Sequence, residues 1–304
     1  MIINIKSCVQ YVFLVISMMC SSITLAKNTR DDIRGKPLRV KQIKVGNFAL
    51  PTSQQPGPLF SFGQNILDKG NLELFAYVDY FKGHRKHTLD VIPAVLYGIS
   101  DKVSIFGVLP ICASQKFNDT QYHGVDDLYV QFEYAFYDYN TQTIADQMTV
   151  VANVSFPTGS PKQTPYISFG SPSFFMGFTA SHTLPSWYVF VSSGALVTTS
   201  HEGTKIGNQF FYQTGISGNI RYNPDKWILN CFLEMDGVYR QRNRIAGAID
   251  HNSGGNDILL GPSLWFSTQR FIIHGGIQWF ITQHLFGEQT KNNYFAAVNV
   301  GWKC

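Results

Sequence analysis

Charge is scarce in this sequence. Only 14% of its 304 residues are Asp, Glu, Lys or Arg, against about 25% in an ordinary soluble domain. The 24 basic and 20 acidic side chains nearly cancel, leaving +4 at pH 7, so no strong field marks a nucleic-acid binder. Cysteine is scarce too, with five in all, two of them (Cys8 and Cys20) near the N-terminus. The other three, Cys112, Cys231 and Cys304, form an odd and scattered set, which excludes a disulfide framework and any zinc-ligand spacing. Long hydrophobic runs are missing beyond residue 26. Even residues 163–201, which hold no Asp, Glu, Lys or Arg, are broken by Pro165, Pro172, Pro185 and several glycines, so they read as two strands rather than a transmembrane helix. What is abundant is aromatic: 24 Phe, 15 Tyr and 5 Trp, beside 26 Gly. That composition excludes disorder and coiled coil.

The first 26 residues stand apart. Lys6 precedes an apolar run over residues 8–20, and Ser21-Ser22 leads to Thr24-Leu25-Ala26, the layout of a cleaved secretory signal. Residues 27–70 carry eight basic and three acidic side chains together with Pro37, Pro51, Pro56 and Pro58. They lack sustained periodicity and are expected to be a basic periplasmic extension or a plug.

From residue 71 the pattern has period two: Leu72, Leu74, Ala76, Val78 and Tyr80 alternate with Glu73, Phe75, Tyr77 and Asp79, as in a half-buried strand. It recurs near 88–99, 102–112, 124–138, 146–157, 173–184, 187–199, 209–222, 226–240, 257–267, 270–281 and 293–302. About twelve strands result. Short connections (residues 100–101, 139–145, 185–186, 223–225 and 268–269) alternate with longer ones (113–123, 158–172, 200–208, 241–256 and 282–292), as in an outer-membrane barrel. Aromatics cluster at both sets of strand ends, for example Tyr97, Trp187, Trp227 and Trp302 at one and Tyr80, Phe156, Tyr239 and Trp279 at the other, which fits interfacial girdles. The expected fold is therefore all-β, a transmembrane antiparallel up-and-down barrel over residues 71–304. Its location would be the outer membrane of a Gram-negative bacterium, reached by Sec-type export. A soluble β-sandwich is the alternative, but it would charge its outer faces.

If the apolar rows meet lipid, the other rows line the lumen. Candidate solute contacts there are Glu73, Tyr77, Asp79, Asp127, Tyr129, Glu133, Arg221, Phe232, Glu234, Asp236, His274 and Gln278. The mixture of carboxylates and aromatics suits a small, partly apolar molecule, or else simply fills the interior. Arg85, Lys86, Arg240, Arg242 and Arg244 fall in the longer loops and are candidates for contact with outer-membrane lipid and lipopolysaccharide phosphates. The triplet His251-Asn252-Ser253 has the residue types of a hydrolase centre, but it lies in a Gly-rich loop. No catalytic residue, metal or cofactor is assigned, and no nucleic-acid partner. The remaining expected partners are the barrel-assembly machinery and a small-molecule solute.

Turn and strand-end motifs recur at Asp68-Lys69-Gly70-Asn71-Leu72-Glu73-Leu74, Tyr97-Gly98-Ile99-Ser100-Asp101-Lys102, Val108-Leu109-Pro110, Gly124-Val125-Asp126-Asp127-Leu128 and Phe156-Pro157-Thr158-Gly159. In these segments the chain resembles an outer-membrane barrel family associated with transport in the MetA pathway of phenol degradation. Val125 departs from the family's second glycine, and the chain ends Trp302-Lys303-Cys304 rather than on an aromatic. The resemblance implies uptake of small aromatic or hydrophobic compounds, with a structural or adhesin-type barrel and a lipid hydrolase as the competing readings.

Overall fold

The structure is a computed structural model that describes residues 43–117, 120–159, 168 and 170–304. The expected signal peptide and residues 27–42 of the basic extension lie outside the described residues.

Sixteen strands follow one another among the described residues: β1 (Leu72–Gly83), β2 (Lys86–Ser100), β3 (Val103–Val108), β4 (Ile111–Phe117), β5 (Thr120–Val125), β6 (Leu128–Asn140), β7 (Ala145–Phe156), β8 (Ser173–Thr183), β9 (Trp187–Thr198), β10 (Gln209–Asn223), β11 (Trp227–Arg240), β12 (Arg244–Ile245), β13 (Ala248–Ile249), β14 (Gly255–Thr268), β15 (Phe271–Leu285) and β16 (Asn292–Lys303). All but β12 and β13 join one antiparallel sheet. It closes on itself, because β1 pairs with both β2 and β16, from Glu73 opposite Lys303 to Gly83 opposite Asn292. β3 with β4, and β5 with β6, are each two halves of one crossing, so the wall is a closed twelve-stranded antiparallel barrel.

Those two divided crossings differ from the expectation of unbroken strands at 102–112 and 124–138 and of a loop at 113–123. Pro110 has no N–H for the ladder, and the chain steps aside at Leu109-Pro110. Below the step β3 pairs with β6, and above it β4 pairs with β5, whose own break is Asp126-Asp127. The expected loop is therefore largely hairpin. The long connection 241–254 likewise contains a small hairpin, β12–β13.

The period-two reading decides which side chains meet lipid. Leu74, Val78, Val95, Phe132, Phe174, Met176, Ile216, Leu233, Leu264 and Val298 are exposed on the outer face. The row between them is buried, including Glu73, Phe106, Glu133, Phe190, Phe232, Glu234 and His274. A soluble sandwich would not expose its apolar rows in this way. Glycines make room inside the barrel for rings. A Cβ on Gly194 would sit 2.5 Å from the Phe175 ring, and one on Gly177 would lie 2.8 Å from it. No helix of the described residues is long and apolar enough to cross a membrane.

Candidate functional site: an arch threaded through the lumen

The lumen is occupied by the chain's own residues 43–71, which rise from the rim of short turns, bend at mid-height and return to begin β1. The ascent is fixed at the rim. Ile43 N–H donates to Gln142 O (3.1 Å), Lys44 pairs with Asp225, and Asn47 N–H donates to Pro185 O (2.8 Å). Gly46 has φ +57°, and a Cβ there would lie 1.8 Å from Pro185 O; only glycine permits that approach. Two 3-10 turns, Gly46–Phe48 and Thr52–Gln54, follow. Asn47 is fully buried, donating to Leu184 O (2.9 Å) and accepting from Asn230 Nδ2 (2.8 Å). Ala49 and Leu50 pack on Ile228.

At the crown the arch has extended backbone, and its N–H groups need acceptors. Glu234 receives Leu59 N–H (3.0 Å) and Phe60 N–H (3.2 Å). Ser61 Oγ donates to Asp236 (2.8 Å), and Phe62 N–H to Gln213 Oε1 (3.1 Å). Phe62 O accepts from Ser192 Oγ (3.1 Å), and its ring meets Phe175 edge-on at 4.9 Å. On the descent Gln64 bonds Gln147 O and Ser181. Asn65 presents both its backbone N–H and its side-chain amide to the two oxygens of Glu133, each at 2.7 Å. Leu67 N–H reaches Ser104 Oγ at 2.8 Å. Gly70 N–H then pairs with Gly98 O (2.8 Å).

The carboxylates Glu133 and Glu234 are fully buried, a costly placement unless every oxygen is hydrogen-bonded. Each is satisfied by arch amides plus neighbouring wall side chains: Gln131 Nε2 on Glu133 (2.6 Å) and Ser263 Oγ on Glu234 (3.2 Å). Charge-assisted bonds of this kind are roughly twice as strong as neutral ones. Glu73 accepts from Gln54 Nε2 (3.0 Å), and Asp236 also takes Gln213 (2.7 Å) and Gln278 (2.5 Å). Four of the predicted luminal residues (Glu73, Glu133, Glu234 and Asp236) thus meet the arch directly, and Gln278 braces two of them from the wall, through Glu234 O and the Asp236 carboxylate.

The others are placed as follows. His274 Nε2 lies 2.8 Å from Ser263 Oγ, with its ring against Phe232 and Trp265. Tyr77 and Tyr129 pack on the buried cluster around Leu67 and Phe106. Asp79 stands directly opposite Asp90 on β2. Asp127 braces the loop after β7 by accepting from Ser168 Oγ (2.6 Å) and Gly159 N–H (3.1 Å). Arg221 is a correction: a bulge at Ile220 turns it out of the luminal row to stand opposite Leu229, exposed. Two of the lipid-phosphate candidates are likewise corrected. Arg240 points inward and pairs with buried Asp257, and Lys86 points inward to donate to Thr290 O (2.9 Å). Arg242 lies over the Phe286 ring at 5.0 Å, while Arg85 and Arg244 are exposed. Within the triplet, Ser253 Oγ accepts from Asn243 N–H (2.8 Å) and donates to Asp250 O (2.7 Å), so it braces a turn. Among the described residues no group of three His, Cys, Asp or Glu is placed to hold a metal ion.

Sequence reasoning placed Gln213 in the luminal row but missed the arch's own side chains, Asn47, Gln54, Ser61, Gln64 and Asn65, and the wall partners Ser263 and Ser104. The only signal for the arch was a run of amides and hydroxyls in a segment without periodicity, and the wall serines are small members of the inward rows of β3 and β14.

Fold and site together define a class: a closed twelve-stranded barrel of the outer-membrane type with an internal N-terminal arch. No protein-family model matches the sequence, and no curated protein matches it either. Among solved structures, the COG4313 outer membrane channel from Pseudomonas putida F1 is similar with a TM-score of 0.64 at 13% identity, over 78% of this chain and 97% of that one. The NanC porin follows at a TM-score of 0.48 and 9% identity, over 76% of this chain and 100% of that one. LpxR from Salmonella typhimurium gives 0.41 and 8%, over 77% and 99%. At these identities the likeness is one of fold, and the first of them carries it.

Proposed function

We propose that this protein is an outer-membrane channel for small, partly apolar molecules, narrowed by its own N-terminal arch. The observation that carries the reading is the grip of Glu234 and Glu133 on the arch amides at mid-height. A barrel that served only as an anchor needs no such dedicated internal gate. Toward the long loops the luminal wall is aromatic and acidic, with Phe81 stacked on Phe295 at 4.0 Å beside the Asp79–Asp90 pair. That lining suits a solute with an aromatic or hydrophobic body, in keeping with the phenol-pathway resemblance. The fold likeness to a channel of known structure supports the same reading, as it does a Gram-negative outer-membrane location; Sec-type export is proposed from the signal-like layout of residues 1–26. Exposed Arg85, Arg242 and Arg244 would meet lipopolysaccharide phosphates. The engaged hydroxyl of Ser253 argues against hydrolysis.

The test is single-channel conductance of the refolded mature chain in a planar bilayer, compared with a variant lacking residues 45–66. Small, aromatic-sensitive openings in the full chain and a several-fold larger conductance in the deletion are expected. A deletion variant that folds and conducts like the full chain would sink the proposal.

A further inference from the structure

The rim of short turns carries an irregularity that the channel reading does not use. Along β10 the inward row runs Gln213, Gly215, Ser217, Asn219, and period two would put Arg221 in the lumen. Instead Asn219 faces Asn230 and Arg221 faces Leu229, so Ile220 is an extra residue. Bulges at barrel rims re-aim side chains, and this one moves a guanidinium into the outward row of Leu229, Phe266 and Ile273. Phe266 and Ile273 are exposed on the lipid face. No acidic side chain among the described residues pairs with Arg221, while the nearby ions Lys44 and Asp225 neutralise each other.

Beside the bulge lies a groove of about 330 Å³, closed on its other sides by Val45 and Gly46 of the arch and by Pro185 and Ser186 of the β8–β9 turn. Its apolar edges, Val45, Ile220 and Tyr222, are exposed. Trp302 and Tyr97 are exposed at the same rim, the belt that marks the level of lipid headgroups.

We propose that this groove binds an anionic glycerophospholipid of the leaflet at the short-turn rim. Arg221 holds its phosphate, and Ile220, the exposed extra residue beside it, lies along its glycerol and first acyl carbons. The unpaired cation supplies the charge complementarity. Its place in a row continuous with the lipid face selects a lipid phosphate over a free one. The proposal rests on the outer-membrane reading only for which leaflet supplies the lipid.

The experiment is a titration of the folded mature protein in neutral detergent with phosphatidylglycerol, read by native mass spectrometry. A heat-shifted band on a gel confirms that each variant is folded. Arg221→Gln is expected to weaken the first binding step about fivefold, the equivalent of losing one basic contact. Arg221→Lys should recover part of it, and Lys226→Gln, in the adjacent turn, should leave it unchanged. Equal affinity in wild type and Arg221→Gln overturns the proposal, and so does full displacement of the lipid by excess inorganic phosphate. If Arg221→Gln fails to fold, a photoactivatable phosphatidylglycerol on the wild-type protein decides. Labelling centred on residues 219–222 and 185–186 is expected, and labelling spread over the barrel without that focus overturns the assignment. Conductance plays no part in these readouts, so failure here leaves the channel proposal standing.

Discussion

The carboxylates Glu133 and Glu234 are spoken for one oxygen at a time. Glu234 takes two consecutive arch amides and a serine hydroxyl, so replacing it with Gln removes the charge and sets an NH2 against N–H donors. Losing a charged hydrogen-bond acceptor in a buried site costs roughly 1.5–3 kcal/mol. Glu234→Gln should therefore release the crown of the arch, seen as noisier and larger conductance with the barrel still heat-modifiable; a quiet trace identical to wild type would refute this role. Glycine acts at the same scale. Gly194→Val puts a side chain where the Phe175 ring already lies at 2.5 Å, and overpacking of this kind costs about 1–3 kcal/mol. The expected readout is an earlier urea unfolding midpoint in lipid, with an unchanged midpoint as the opposing result.

At the scale of elements, the wall is least regular where three interruptions lie together: Leu109-Pro110, Asp126-Asp127 and the end of β7 at Phe156-Pro157. Several amides there hang on side-chain oxygens. Asp127 N–H bonds Asp126 Oδ1, Leu128 N–H bonds Thr158 Oγ1, and Gly159 N–H bonds Asp127 Oδ1. Hydrogen exchange should find these amides open well ahead of the continuous β10–β11 ladder, and protection equal to that ladder would count against a weak seam. The twelve crossings were legible because alternation and turn residues are local signals. Arg221 was misplaced because one added residue inverts facing, and nothing around Ile220 announces it. The arch was invisible for a related reason. Its order comes from partners 19 to 250 positions away, such as Glu73 for Gln54 and Lys303 for Ser53, and no periodicity within the segment encodes them.

At the scale of the molecule, closure and filling are separate achievements. The barrel closes where β1 meets β16, with Cys304 N–H on Leu72 O (3.0 Å) beyond the last pair. The filling draws on far more of the circumference: the arch takes hydrogen bonds from β2, β3, β6, β7, β8, β9, β10, β11 and β14. No subset of neighbouring strands offers that set of partners. The arch precedes the barrel strands in the chain yet finds its partners only on the closed wall, so it is expected to seat last, as a keystone whose placement reports that the circle is complete. Pulse-labelled refolding should show protection at Leu59–Asn65 trailing that of β10–β11, and simultaneous protection would disprove the order. In the proposed channel the pore is wide only while the chain is unfinished, which ties its narrowing to the end of its own assembly.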